Sequence, residues 1–478
     1  MEGSIATAPA DTRSADPAAA APGDGIAGRL GRLDPRWLTI GFVVLGIVVY
    51  IVSNPSRQNF YNHFVWQADA FLQGRAWIPW PLTDGQFQNG YFQDVFPIGD
   101  GRGLLPFPPL PAIALLPFVA AFGLGTDAAL VAAVLGGINL GLAHRMVRRL
   151  TSDALVAILA ALFYGFGTVA WYAAMLGSTW FLAHVVASTF LLLAITGALD
   201  ADRRSAREAA AVAAEDEGAG WRRAWPPDGR QVIAGLLFGM AAAARLTTLL
   251  AAPFFVFVGG GHSALRRGLS AGIGAVIPVL LLLAYNVATS GQLFHPGYEH
   301  LYQTEYTPVP SGLLAQLVPA LEGITYHPGE WALQDPRYVP QNLLILLAWL
   351  PEVHTECGLA LLDQGCALIR PDRLGMSVLL TSPAWLLGLP VVLREWRRRI
   401  VLGSALAVGA VTLVNLMHFS QGWVQFGYRF SNDAAPFALL LVTLGLARYG
   451  VRWWTAGLVL LSIVINAWGV YWGVVLGW

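Results

Sequence analysis

Apolar residues in this chain come in runs close to 20 residues long, separated by short polar breaks. That length matches the hydrocarbon core of a bilayer at 1.5 Å per helical residue. Residues 38–53 form the first run. Further runs fall at 107–124, 127–143, 154–172 and 178–199. An apolar pair at 232–260 reads as a hairpin, with Arg245, Thr247 and Thr248 near its turn. Runs at 270–287, 375–393, 400–417, 434–447 and 454–475 complete the pattern, with a shorter one at 342–350. The pattern predicts an all-α polytopic bundle of about 10–12 helices, because only closed hydrogen bonding inside each helix is tolerated in lipid. No repeat of 20–50 residues is visible.

The polar breaks orient the bundle. Arg29, Arg32 and Arg36 precede the first run, which predicts a cytoplasmic N-terminus. Arginine clusters at 144–150, 200–231, 266–267, 394–399 and 448–452 predict the same side. The non-cytoplasmic regions are then 54–106, 288–374 and 419–433. Taken literally, the runs between 107 and 199 put residue 200 on the wrong side. The Pro-rich PFPPLPAIALLP therefore dips in or lies flat, so that 107–143 crosses once in net terms. Residues 1–35, rich in Ala, Pro and Gly, lack the basic start and apolar core of a signal peptide and read as a disordered cytoplasmic tail. The rest, 36–478, reads as one transmembrane domain.

Composition sharpens this. The 478 residues are 56% hydrophobic and 12% charged, about half the charged share of a soluble domain, and mean hydropathy is +0.56. Net charge is zero, so there is no basic field of the kind that binds nucleic acid. The two cysteines, Cys357 and Cys366, have no zinc spacing; both fall in an expected outside loop, where either a disulfide or two buried thiols fits.

Chemistry is expected where polar groups share the outer face. The first loop carries Asp69, Asp84, Asp94 and Asp100. Its segment FYNHFVWQADAFLQG has apolar residues at helical spacing and predicts an amphipathic helix lying on the membrane. Apolar neighbours would raise the Asp69 carboxyl; Asp84 in TDG and Asp100 in GDGRG read as turn residues. Arg245 sits in a Gly/Ala-rich apolar hairpin, and a charge in such a place is functional by default. Arg429 and Asp433, at i and i+4, read either as a local salt bridge or as a phosphate clamp. Pro296 and Gly297 argue against a regular helix around His295, Glu299 and His300, and so against a metal site there.

Four stretches, NHFVWQADAFLQGR, PFPPLPAIALLPFVAAFG, GLLFGMAAAARLTTLLAAP and FGYRFSNDAAPF, resemble the GT-C superfamily of integral-membrane glycosyltransferases. The nearest resemblance is to bacterial mannosyl- and aminoarabinosyl-transferases that use polyprenyl-phosphate sugars. The resemblance covers 38–447. It implies a bacterial inner-membrane, cell-envelope enzyme moving a sugar from a polyprenyl phosphate to a lipid, glycan or protein acceptor. It also implies a catalytic acid early in the first outside loop, where this chain has Asn59, Asn62 and His63 instead. Asp69 and Asp94 are therefore the candidate bases, and a non-catalytic relative stays open. His63, Arg75, Arg102, Arg245, Tyr298, Arg429 and Asp433 are the candidate substrate-binding residues, each with a plainer reading as a structural partner or interface anchor. No cofactor is called for, and no ligand set supports a divalent metal. A lipid or polysaccharide transporter is the reading from another class; it predicts paired halves and broken helices, and neither is visible in the sequence.

Overall fold

A computed structural model describes residues 34–57, 61–80, 94–212, 226–304, 332–419, 422 and 424–477. Residues 1–33 of the expected tail, Asp84, Asn59 and part of the 200–231 loop lie outside those residues. The fold is all-α and polytopic: among the described residues six helices are long and apolar enough to cross a membrane, and one bent pair, counted as a single span, makes seven.

Helix α1 (Pro35–Ser53) is followed by the short α2 (His63–Leu72) and α3 (Leu110–Phe122). Between these two, β1 (Ile78–Pro79), β2 (Phe96–Gly99) and β3 (Arg102–Leu104) form a small antiparallel sheet in the order β1-β3-β2. Then come α4 (Ala128–Val147), α5 (Ala154–Phe166), α6 (Ala170–Leu176), α7 (Thr179–Val212) and α8 (Gly229–Ala244). The return strand of the hairpin is a 3₁₀ turn, Leu246–Ala251, running into α9 (Ala252–Phe257). The chain continues through α10 (Ala264–Ser290), α11 (Gly297–Thr304), α12 (Val339–Ala348) and the broken pass α13 (Val378–Thr381) to α14 (Leu389–Glu395). It ends with α15 (Arg399–Leu416), α16 (Ala435–Tyr449) and α17 (Trp453–Leu476).

The bundle has two faces. Arg57 meets Asp127 at 3.6 Å, and Asn54 donates to the Met175 carbonyl at 3.0 Å, so the end of α1, the start of α4 and the end of α6 share one face. Thr39 meets His144 at 2.9 Å, Arg149 pairs with Asp200 at 2.7 Å, and Arg399 pairs with Asp202 at 2.8 Å on the opposite, arginine-rich face. α1 and α4 are thus antiparallel, crossing where the Gly46 and Gly137 backbones touch.

These contacts explain the conflict at 107–150. α3 begins beside Gly297, which packs on Pro106, and ends just before Asp127, so both its ends lie on the Arg57 face. At 13 residues it is about 20 Å long, too short for a hydrocarbon core of about 30 Å. Only α4 crosses.

Four local features differ from the sequence expectation. α2 does not lie on the membrane: seven of its ten residues are buried, and Phe64, Val65 and Ala68 pack on Ala112, Leu115 and Val119. The helix fills the roof of the bundle because apolar residues surround it on most sides rather than along one stripe. α11 is helical from Gly297, because Pro296 precedes the first turn, where a missing N–H costs nothing. α7 continues as helix past residue 200, through the start of the expected loop. The apolar run at 154–172 is two helices rather than one: α5 and α6 bend by 52°.

Candidate functional site

The hairpin turn sets the depth of the site. α8 and α10 run parallel, with Gly235 on Ala271 and Gly239 on Ala275. That packing, with Gly274 on Val232 and Leu236, ends α8 at least a turn before α10 ends at Ser290. Arg245 has extended dihedrals (φ −145, ψ 100) that end α8 and turn the chain back. Its guanidinium is therefore held inside the bundle rather than at the surface.

The partner it meets is Asp433, at the end of a 3₁₀ turn, Arg429–Asp433. One carboxylate oxygen accepts from His184 Nδ1 at 2.7 Å and from Arg245 Nε at 3.3 Å. The other accepts from Arg245 Nη2 at 2.9 Å and from Thr247 Oγ1 at 2.7 Å. Asp433 and His184 are fully enclosed, at 0% and 1% side-chain exposure, while Arg245 keeps 17%. Burial alone would push the Asp433 carboxyl up, but the Arg245 guanidinium and the His184 hydrogen bond outweigh it and hold the group below the usual carboxylate range.

Phe430 joins this pair to a second cation. Its ring lies 5.4 Å from the guanidinium carbons of both Arg245 and Arg429. Arg429 also lies over Trp180 (5.5 Å) and Phe181 (5.6 Å). Trp180 and His184 are one turn apart on α7, so a single helix face carries both contacts. The indole N–H of Trp180 then donates to Asp94 Oδ2 at 2.8 Å. Asp94 is 3% exposed and holds a left-handed φ of +68, a conformation that acidic side chains tolerate better than most. Burial pushes the Tyr61 hydroxyl up, and the Asp94 charge adds to the shift. Tyr298 lies in the field of the same cluster: burial drives its hydroxyl up to about 12, with Arg245 opposing and Asp94 and Asp433 reinforcing. His418 completes the group, pushed down to about 3 by burial and by Arg245 and Arg429.

The structure thus brings Asp94, Arg245, Tyr298, Arg429 and Asp433 together and sets the others apart. Asp69 stands on the outer side of α2 and accepts from Gln73 at 2.6 Å. Arg75 and Arg102 flank the Trp77 ring at 4.7 and 5.6 Å, and Arg102 pairs with Asp100 at 2.8 Å. His63 is buried in the roof on the far side of Trp180, with Nδ1 at 2.8 Å from Thr179 and its ring against Trp66, Phe107 and Trp180. Sequence reasoning missed His184, Trp180 and His418, and placed Thr247 near the hairpin turn without a role. A histidine inside the apolar run TWFLAHVVAST was the available signal, since ionisable residues in spans are costly. Cys357 and Cys366 form a disulfide.

A cavity of about 330 Å³ opens beside the cluster, lined by Trp385, Leu389, Val408, Tyr428, Phe430 and Ala435 among others, and nearly all apolar. That volume is within the usual range for ligand sites. Phe430 belongs to both the cavity wall and the cation pair.

Fold and site together define a polytopic α-helical membrane protein with a buried, charged cluster recessed from one face. No family model matches the chain, and no curated protein matches it. Among solved structures, the chain is similar to ArnT from Cupriavidus metallidurans bound to undecaprenyl phosphate. Identity is 14% and TM-score 0.49, over 93% of this chain and 77% of that one. It is also similar to ArnT from the same organism in the apo state, at 13% identity and TM-score 0.44, over 88% of this chain and 61% of that one. Residue roles therefore come from this chain's own geometry.

Proposed function

We propose that this protein is a GT-C-type membrane glycosyltransferase that moves a sugar from a polyprenyl phosphate to a hydroxyl-bearing acceptor at the non-cytoplasmic face of a bacterial inner membrane. The observation that carries the reading is Phe430. It separates an apolar cavity suited to an isoprenoid chain from two guanidiniums suited to its phosphate.

In this scheme the acceptor oxygen attacks the anomeric carbon while the bond to the phosphate oxygen breaks. Asp94 takes the acceptor proton, and Arg245 and Arg429 stabilise the charge left on the polyprenyl phosphate. Asp433 holds Arg245 in place, since a carboxylate that accepts from both Nε and Nη2 fixes the plane of the guanidinium. Tyr298 lines the sugar side. No cofactor enters the scheme.

The test uses purified protein with undecaprenyl phosphate as the probe. Arg245→Ala and Arg429→Ala are expected to weaken binding at least tenfold each, and unchanged binding in both variants refutes the site. The bent α5–α6 pair favours a second reading, a lipid-phosphate transporter, because broken spans mark transport sites. Proteoliposomes that move undecaprenyl phosphate but transfer no sugar from any polyprenyl-phosphate donor would select it.

A further inference from the structure

We propose that the chamber behind His184 is a binding site for one water molecule, and that His184 is a positioning residue linking that water to Asp433. The consequence for Arg245 rests on the function proposed above; the water site does not.

The chamber lies at the α5–α6 break, between α1, α4, α7 and the Arg429–Asp433 turn. Tyr50, Asn139, Tyr164, His184, Ser188 and Asn432 line it with small residues of α4 and α6. Its free space, about 10 Å³, is close to what one water needs. Three of its buried wall residues each carry one polar atom without a partner: Asn139 Oδ1, His184 Nε2 and Asn432 Nδ2. These residues are 4%, 1% and 3% exposed.

Their chemistry selects the ligand. His184 Nδ1 faces a carboxylate oxygen at 2.7 Å, so Nδ1 carries a proton, and in the neutral ring Nε2 is then an acceptor. Asn139 spends its amide N–H on the Val185 carbonyl at 2.9 Å, which leaves Oδ1 as a second acceptor. Asn432 Nδ2 is a donor. Two acceptors and one donor match the two O–H bonds and a lone pair of water. A cation would be opposed by the Asn432 N–H. An anion would be opposed by the other two atoms.

The water gives His184 a fixed tautomer. With Nε2 receiving a hydrogen bond, the proton stays on Nδ1 and points at Asp433. Asp433 in turn fixes Arg245 and Thr247. A buried polar chain with every member satisfied is rigid, whereas one open end loosens the whole.

Two measurements need no substrate. A map that resolves ordered solvent is expected to show one peak within hydrogen-bonding distance of all three atoms. A chamber collapsed onto its walls, or a peak touching only one of them, overturns the site. Nitrogen NMR of ¹⁵N-histidine protein, with the His184 signal assigned by its loss in His184→Asn, is expected to show a neutral, Nδ1-protonated ring. An Nε2-protonated ring or an imidazolium overturns the assignment. Undecaprenyl phosphate affinity then reads the positioning role. His184→Asn, which keeps a donor toward Asp433, is expected to stay within about threefold of wild type, and His184→Leu to lose about tenfold or more. Equal losses in both variants refute positioning. If His184→Leu does not fold, the map and the tautomer still decide. If wild-type protein does not bind the probe, the proposed function fails while the water and tautomer results stand.

Discussion

Replacing Asp433 by alanine tests the organisation of the site most directly. The carboxylate accepts four hydrogen bonds from three residues, at 2.7, 2.7, 2.9 and 3.3 Å. Its removal strands a guanidinium that is only 17% exposed. Breaking a buried pair by deleting one partner costs about 3–5 kcal/mol, because the other charge is left uncompensated. Asp433→Asn keeps the shape and part of the acceptor capacity, so a loss of about 1.5–3 kcal/mol is expected. The double variant Asp433→Ala/Arg245→Ala removes the stranded charge as well. It is expected to be less unstable than the sum of the singles by about 2–3 kcal/mol, the upper range for residues in direct contact. Reversible unfolding in mixed micelles at neutral pH, followed by circular dichroism, supplies the cycle. The folded Asp433 carboxyl is depressed, so its contribution is fully present above the unfolded value and is lost as pH falls through the folded one. Neutral pH therefore reads it in full. A cost under about 0.5 kcal/mol for Asp433→Ala, the size of an ordinary surface substitution, would refute the reasoning, and so would an additive cycle.

Four further outcomes rest on contacts described above. Asp94→Asn is expected to abolish sugar transfer while leaving undecaprenyl phosphate binding near wild type. Asp69→Asn is expected to retain most activity, since its carboxylate meets Gln73; the reverse pattern in a donor assay would move the base to α2. Gly235→Val should destabilise the fold by about 1–3 kcal/mol or more through overpacking, because a Cβ at Gly235 would stand 2.0 Å from the Ala271 carbonyl oxygen; an unchanged unfolding midpoint would contradict the close α8–α10 contact. His295 is held down to about 4 and His418 to about 3, mainly by burial. Below an unfolded value of about 6.5 the unfolded chain takes up protons that these rings refuse, so stability falls as pH drops from about 6.5 toward 4. His295→Gln and His418→Gln should each flatten that slope in a pH series of unfolding midpoints, and an unchanged slope would show that neither ring is held neutral.

The span pattern was legible because hydropathy and length are strong, local signals. The Arg245 hairpin was legible for a related reason: a charge in a Gly/Ala-rich apolar run has few roles. The two candidate acids were harder to place. The residues flanking Asp69 are apolar, yet Phe64 and Ala68 point into the roof and Asp69 follows Ala68 by one residue, about 100° around the helix. Asp94 carried no periodic signal at all. Its position comes from the sheet around residues 96–104 and from the Trp180 indole on a helix far along the chain. The sheet itself is built from strands of two to four residues, too short for a period of two to be seen.

The i, i+4 spacing of Arg429 and Asp433 left a local salt bridge and a phosphate clamp both open, and the backbone of the segment separates them. In an α-helix those residues share a face and pair. Here the segment is a 3₁₀ turn, with three residues per turn, so i and i+4 are about 120° apart. Asp433 is turned toward the Arg245 hairpin, and Arg429 toward Trp180. Had the turn been α-helical, Arg429 would have spent its charge on Asp433, and Arg245 would have lain in the bundle without a counter-ion. The tighter turn separates the two charges, so that one arginine is held by a carboxylate and the other by aromatic faces. That division places two cations around Phe430 at the mouth of an apolar cavity, an arrangement that a single local salt bridge could not have produced.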